Sequence, residues 1–74
     1  MKTMYHILYN VEKPGSEALY DRDMSVEAEN PQEAVNKLYN HAEYHGETVY
    51  EIESVSSYHE DEQGGYYEPC NWTA

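Results

Sequence analysis

The chain has 74 residues, enough for a single domain spanning 1–74. Fifteen acids against four bases give a formal net charge of −11, which argues against direct binding to nucleic-acid phosphates or to an anionic membrane. One cysteine, Cys70, excludes an intrachain disulfide and a four-cysteine zinc cage, and no apolar run approaches the ~20 residues of a membrane span.

High charge with modest hydrophobicity is a signature of disorder, but nine tyrosines and clear periodicities oppose it here. Between Met4 and Val11, the residues Tyr5, Ile7, Tyr9 and Val11 share one parity, as a half-buried strand requires. Lys13-Pro14-Gly15-Ser16 carries turn chemistry. A second alternation from Leu19 to Ala28 sets Met24, Val26 and Ala28 against Asp21, Asp23, Ser25 and Glu27, which predicts an antiparallel hairpin.

A helix is predicted from Pro31 to Tyr44. Asn30 is a natural cap, Pro31 suits the first turn, and Glu33 occupies the capping-box position. Ala34, Val35, Leu38, Tyr39 and Ala42 then mark one apolar face, and Gly46 is a terminator. Thr48 to Tyr58 reads as a third strand in which Tyr50 and Ile52 agree in phase while Val49 and Val55 do not. A bulge near Glu53-Ser54 is therefore expected. His59 to Gly65 reads as a polar loop, followed by a short last strand that Pro69 confines to an edge or ends. The expected fold is α+β, order ββαββ: a curled antiparallel sheet of three to five strands packed on one helix. Tyr5 and Tyr50 are expected in the core, with Tyr66, Tyr67 and Trp72 partly exposed.

Charge is uneven along the chain. Residues 1–37 carry seven acids and all four bases, for −3, while residues 38–74 carry eight acids and no Lys or Arg, for −8. If the helix covers the face bearing Tyr5, Ile7, Met24, Val26 and Ile52, the other face presents Glu12, Asp21, Asp23, Glu27, Glu29, Glu51 and Glu53, with His6 and Leu8 among them. Such a face is either simply solvated or a binding surface. Its single sign brings the binding reading level with the solvated one, because a surface shaped by solubility mixes signs. Carboxylates two residues apart on a strand lie about 6.6 Å apart and resemble a row of phosphates. Glu60, Asp61 and Glu62 extend the acidic set, and Tyr66 and Tyr67 supply aromatic anchors.

Catalytic signals are thin. His41 and His45 stand i, i+4 with Glu43 between them, but HExxH and a third ligand are missing, so a helix terminus is the plainer reading than a metal module. His59 with Cys70 lacks a catalytic context, and no calcium-loop spacing or phosphate-binding glycine loop appears. No enzyme activity and no cofactor are expected.

The segments VEAENPQEAVNKL, HGETVYEIESV and YHEDEQGGYYEPC, following an N-terminal hairpin, resemble the small phage-encoded type I-F anti-CRISPR proteins. His45-Gly46 and Ile52-Glu53-Ser54-Val55 carry most of the likeness. A hairpin–helix–strand order is more weakly similar to a coliphage inhibitor of bacterial RNA polymerase. The anti-CRISPR resemblance implies binding to a Cascade surveillance complex in the host cytoplasm. Charge is the departure. The family example is rich in Lys and Arg along its helix and final hairpin, where this chain has Asn36, Lys37, His41 and a run of acids, leaving Lys37 as the one basic counterpart.

The expected function is therefore a phage-type inhibitor, monomeric or weakly dimeric, that docks an acidic face on a basic nucleic-acid-binding surface, with type I Cascade favoured. Its expected contact residues are Asp21, Asp23, Glu27, Glu29, Glu51, Glu53, Glu60, Asp61, Glu62, Tyr66 and Tyr67. The alternatives are an acidic inhibitor of another host enzyme, such as RNA polymerase or a DNA repair enzyme, and a small metal- or ligand-binding module using His41, Glu43 and His45.

Overall fold

The computed structural model describes residues 2–15 and 17–72, so Ser16 in the expected first turn lies outside the described residues. Five elements follow in the order ββαββ: β1 (Thr3–Glu12), β2 (Leu19–Ala28), α1 (Pro31–Tyr44), β3 (Thr48–Asp61) and β4 (Gly64–Pro69). The strands form one antiparallel sheet, ordered β2-β1-β3-β4. The fold is α+β with an open sheet.

Local chemistry accounts for the helix. The Asn30 side chain accepts a hydrogen bond from the Glu33 backbone N–H at 2.8 Å, satisfying one donor that the first turn leaves bare. The Glu33 carboxylate pairs with Lys37 one turn on, at 3.5 Å. At the other end Gly46, with φ at +70°, lets Gly46 N–H reach Glu43 O (3.0 Å) and Glu47 N–H reach Ala42 O (2.8 Å). Those paired bonds close the helix and turn the chain back toward β3. Ala34, Val35, Leu38 and Ala42 are buried, whereas Tyr39, at the margin of the same stripe, is 45% exposed.

The helix covers the face bearing Tyr5, Ile7, Tyr9 and Val11 of β1, which stand opposite Val26, Met24, Arg22 and Tyr20 of β2. Ile7, Leu38, Val11 and Val35 are the largest fully buried side chains, each worth about 1.5–3 kcal/mol on burial. Tyr5 is buried as expected. Tyr50 is not: it is 59% exposed, and Tyr9 occupies the core in its place.

The reason lies in β3. Its pairing with β1 slips twice, between Leu8/Tyr9 and between Asn10/Val11. The first slip leaves Glu53 unpaired, matching the bulge expected near Glu53-Ser54, and the second leaves Tyr50 unpaired. Two extra residues bring Val49, Ile52 and Val55, spaced by three, onto the covered face opposite Val11, Tyr9 and Ile7. Both bulges lie where β3 has β1 on one side and no β4 on the other, since β4 pairs only with Ser56–Asp61. Twisting and charging an uncovered edge discourages pairing with another chain.

The expected loop at His59–Gly65 is mostly strand. β3 runs through Asp61 and β4 begins at Gly64, leaving Glu62 and Gln63 to turn the chain. Asp61 Oδ1 accepts from Gln63 N–H at 2.8 Å, and Gly64 sits at φ +121°, a region that side chains avoid. Fourteen residues of strand reach about 46 Å at ~3.3 Å each, which matches the 48 Å long axis of the molecule. The β3–β4 hairpin thus projects past the start of β1 as an arm, and every residue of β4 is exposed.

Candidate functional site

Strand register decides which side chains share the face that the helix leaves open. On β1 these are Met4, His6, Leu8, Asn10 and Glu12. Opposite them on β2 stand Glu27, Ser25, Asp23, Asp21 and Leu19. On β3 they are Thr48, Glu51, Ser54 and Ser56, continuing along the arm to Tyr58 and Glu60, and on β4 Pro69, Tyr67 and Gly65. Six carboxylates therefore belong to this face: Glu12, Asp21, Asp23, Glu27, Glu51 and Glu60. None of its strand positions carries Lys or Arg.

Three of the four basic residues are engaged elsewhere, and the fourth, Lys2, is exposed just ahead of β1. Arg22, on the covered face of β2, pairs with Glu47 at 3.2 Å, and Lys13 from the first turn approaches the same carboxylate at 3.8 Å. Both also lie over the Tyr20 ring, at 5.0 Å for Lys13 and 5.8 Å for Arg22. Lys37 on the helix donates to Glu27 O at 2.7 Å as well as pairing with Glu33. Opposite charges are thus gathered on the covered side and around the helix, and the strand positions of the open face carry acids without Lys or Arg.

Expected contact residues divide accordingly. Asp21, Asp23, Glu27, Glu51 and Glu60 share the open face with Tyr67. Glu29 lies just beyond β2, and Glu53 is the unpaired residue of a bulge. Glu62 is in the turn of the arm. Asp61 and Tyr66 alternate onto the opposite face, so Tyr66 and Tyr67 cannot anchor the same surface.

Two features of the open face escaped the sequence reading. Asn10 stands in register between Asp21 on β2 and Glu51 on β3, is only 7% exposed, and its Oδ1 has no hydrogen-bond partner among the described residues. A buried orphan acceptor costs about 1–3 kcal/mol. The second feature is an aromatic row crossing from the sheet to the arm. His6 is held by Ser25 (Nδ1 to Oγ, 3.1 Å) and lies near Asp23 (Nε2 to Oδ2, 3.9 Å). The His6 and Tyr67 ring centroids are 5.8 Å apart, and those of Tyr67 and Tyr58 are 5.2 Å apart. The Tyr58 hydroxyl donates to Glu60 Oε1 at 3.1 Å, and that bond to a carboxylate raises its pKa.

On the opposite side of the arm, Ser57 Oγ and Glu68 Oε2 both address Nε2 of His59, at 2.7 and 3.6 Å, with Tyr66 stacked on the imidazole. A proton relay needs the hydroxyl on one ring nitrogen and the acid on the other, which this arrangement does not provide. Cys70 does not meet His59. It packs against the core, and its thiol lies 3.6 Å from Glu68 O. The His41 and His45 rings lie with centroids 4.5 Å apart, tilted by 57°, and among the described residues no three His, Cys, Asp or Glu gather as a metal site. A shallow hollow of about 300 Å³ lies between the helix end and β3, lined by Tyr39, Ala42, Glu43, Glu47, Thr48 and Val49. No helix among the described residues is long and apolar enough to cross a membrane.

No protein-family model, curated protein or solved structure matches this chain.

Proposed function

We propose that this protein is an inhibitor that docks its open, acidic sheet face on a basic, nucleic-acid-binding surface of a host complex. One observation carries the reading: six carboxylates on a face whose strand positions hold no Lys or Arg, in a chain that has paired three of its four bases elsewhere. A face shaped for hydration alone gains nothing from excluding positive charge, and self-repulsion there works against a small fold. Complementary charge would steer encounter, and the exposed Tyr67 ring would add short-range contact.

Type I Cascade is the target we favour, with the acids occupying positions that the DNA backbone otherwise fills. RNA polymerase or a DNA repair enzyme would offer the same kind of surface.

The test is competition. Purified type I Cascade is incubated with this protein, and binding of labelled target DNA is followed by gel shift. DNA binding is expected to fall as inhibitor saturates the complex. Combined replacement Asp21→Asn, Asp23→Asn, Glu27→Gln and Glu51→Gln is expected to weaken inhibition by about tenfold or more. Raising salt toward 1 M, where the screening length falls to about 3 Å, should do the same. Undiminished DNA binding at saturation sinks the Cascade form of the proposal. An inhibition untouched by the four replacements sinks the acidic-face form.

A further inference from the structure

The docking reading does not say which cation the partner presents, and the junction of sheet and arm bears on that choice. Tyr67 is 57% exposed and flanked by Tyr58 and His6, with interplanar angles of 62° and 59°. Tyr58 keeps its place because Gly65 has no side chain: a Cβ built there collides with the Tyr58 hydroxyl and ring. The hydroxyl in turn engages Glu60 through Oε1. An aromatic shelf with a carboxylate at its margin is thus built from three strands.

Resting on the docking reading, we propose that the Tyr58–Tyr67–Glu60 corner receives an arginine side chain of the partner in preference to lysine. A guanidinium is planar and weakly hydrated, lies flat on an aromatic face, and directs its in-plane N–H groups to a carboxylate beside the ring. A lysine ammonium is a compact, strongly hydrated charge that gains less from a shelf. Cations already lie over a tyrosine ring elsewhere in the molecule, at Tyr20, with Lys13 at 5.0 Å and Arg22 at 5.8 Å. The Tyr58–Tyr67 shelf has no such cation from the strand positions of its own face. A nucleobase would also stack on these rings, but its phosphates would meet Glu60 and Asp23.

The experiment uses capped hexa-arginine and hexa-lysine peptides titrated into the whole protein at low salt, with dissociation constants and tyrosine ring shifts read by NMR. Hexa-arginine is expected to bind about threefold to tenfold more tightly. In Tyr67→Leu, an exposed position, the ratio of the two constants should fall to about one. Gly65→Ala, which displaces Tyr58, should lower it in the same direction, with circular dichroism checking the fold of each variant. Equal affinities in the unaltered protein overturn the arginine preference and leave acidic docking standing. A preference that survives Tyr67→Leu also overturns it, by assigning selectivity to the carboxylates alone. If neither peptide binds, the docking reading falls, and this inference with it. A six-nucleotide oligothymidylate that shifts the Tyr67 ring signals more than hexa-arginine does would instead mark the shelf as a base-stacking surface and reject the proposal.

Discussion

The two faces of the sheet come from the same strands, one residue apart, and have opposite chemistry. The covered face buries Tyr5, Ile7, Tyr9, Val11 and Val55 beneath Ala34, Val35 and Leu38. The open face holds six carboxylates, a buried amide oxygen without a partner among the described residues, and an aromatic row. Stability therefore concentrates on one side, while the other is left free to carry charge that folding does not need. A small domain has little core, so such a division is only tolerable if the covered side is well filled.

Substitutions should break this division unequally. The largest effect belongs to the covered face. Ile7→Ala removes a fully buried side chain at the centre of the sheet and should destabilise by about 2–5 kcal/mol, enough to unfold much of the population. Denaturant titration measures it. A loss below about 1 kcal/mol would mean that the covered side does not hold the fold in the way described.

An open-face substitution should go the other way. Asn10→Val removes the orphan acceptor and places a β-branched residue on a central strand, so stability should rise by about 1 kcal/mol. For a domain of this size that is roughly 4–8 °C in melting temperature. A lower melting temperature would show that the Asn10 amide has a stabilising partner after all.

The pH response is gentler and tests burial of the two core tyrosines. Burial raises the pKa of Tyr5 and of Tyr9 above the ordinary value of 10.0, with the charges of Cys70 and Glu47 respectively adding to the shift. A raised folded pKa means that the unfolded chain loses these protons first. Stability should then be level with respect to these groups to about pH 9 and fall as pH climbs through 10 toward the folded values. Tyr5→Phe and Tyr9→Phe together should flatten that alkaline limb, as followed by urea titration at stepped pH. A limb that persists in the double variant would assign it to other groups.

What the chain determined by itself was local. Asn30, Pro31 and Gly46 set the ends of the helix through hydrogen bonds spanning a few residues, so Pro31–Tyr44 could be read directly. The alternation in β1 and β2 set the two faces, and with them the acids Asp21, Asp23 and Glu27, because side-chain direction along a regular strand follows from parity alone. Only the tertiary structure decided β3. Its second bulge at Tyr50 exists because Val49, Ile52 and Val55 must all meet the core, a condition imposed by β1 and the helix and absent from any short stretch of sequence. The same holds for the arm. Pairing of β4 against β3 sent Tyr66 and Tyr67 to opposite sides and brought Tyr67 beside His6, sixty-one positions away in the chain. Composition supplied the charge of −11, and strand pairing turned part of it into a single-signed surface.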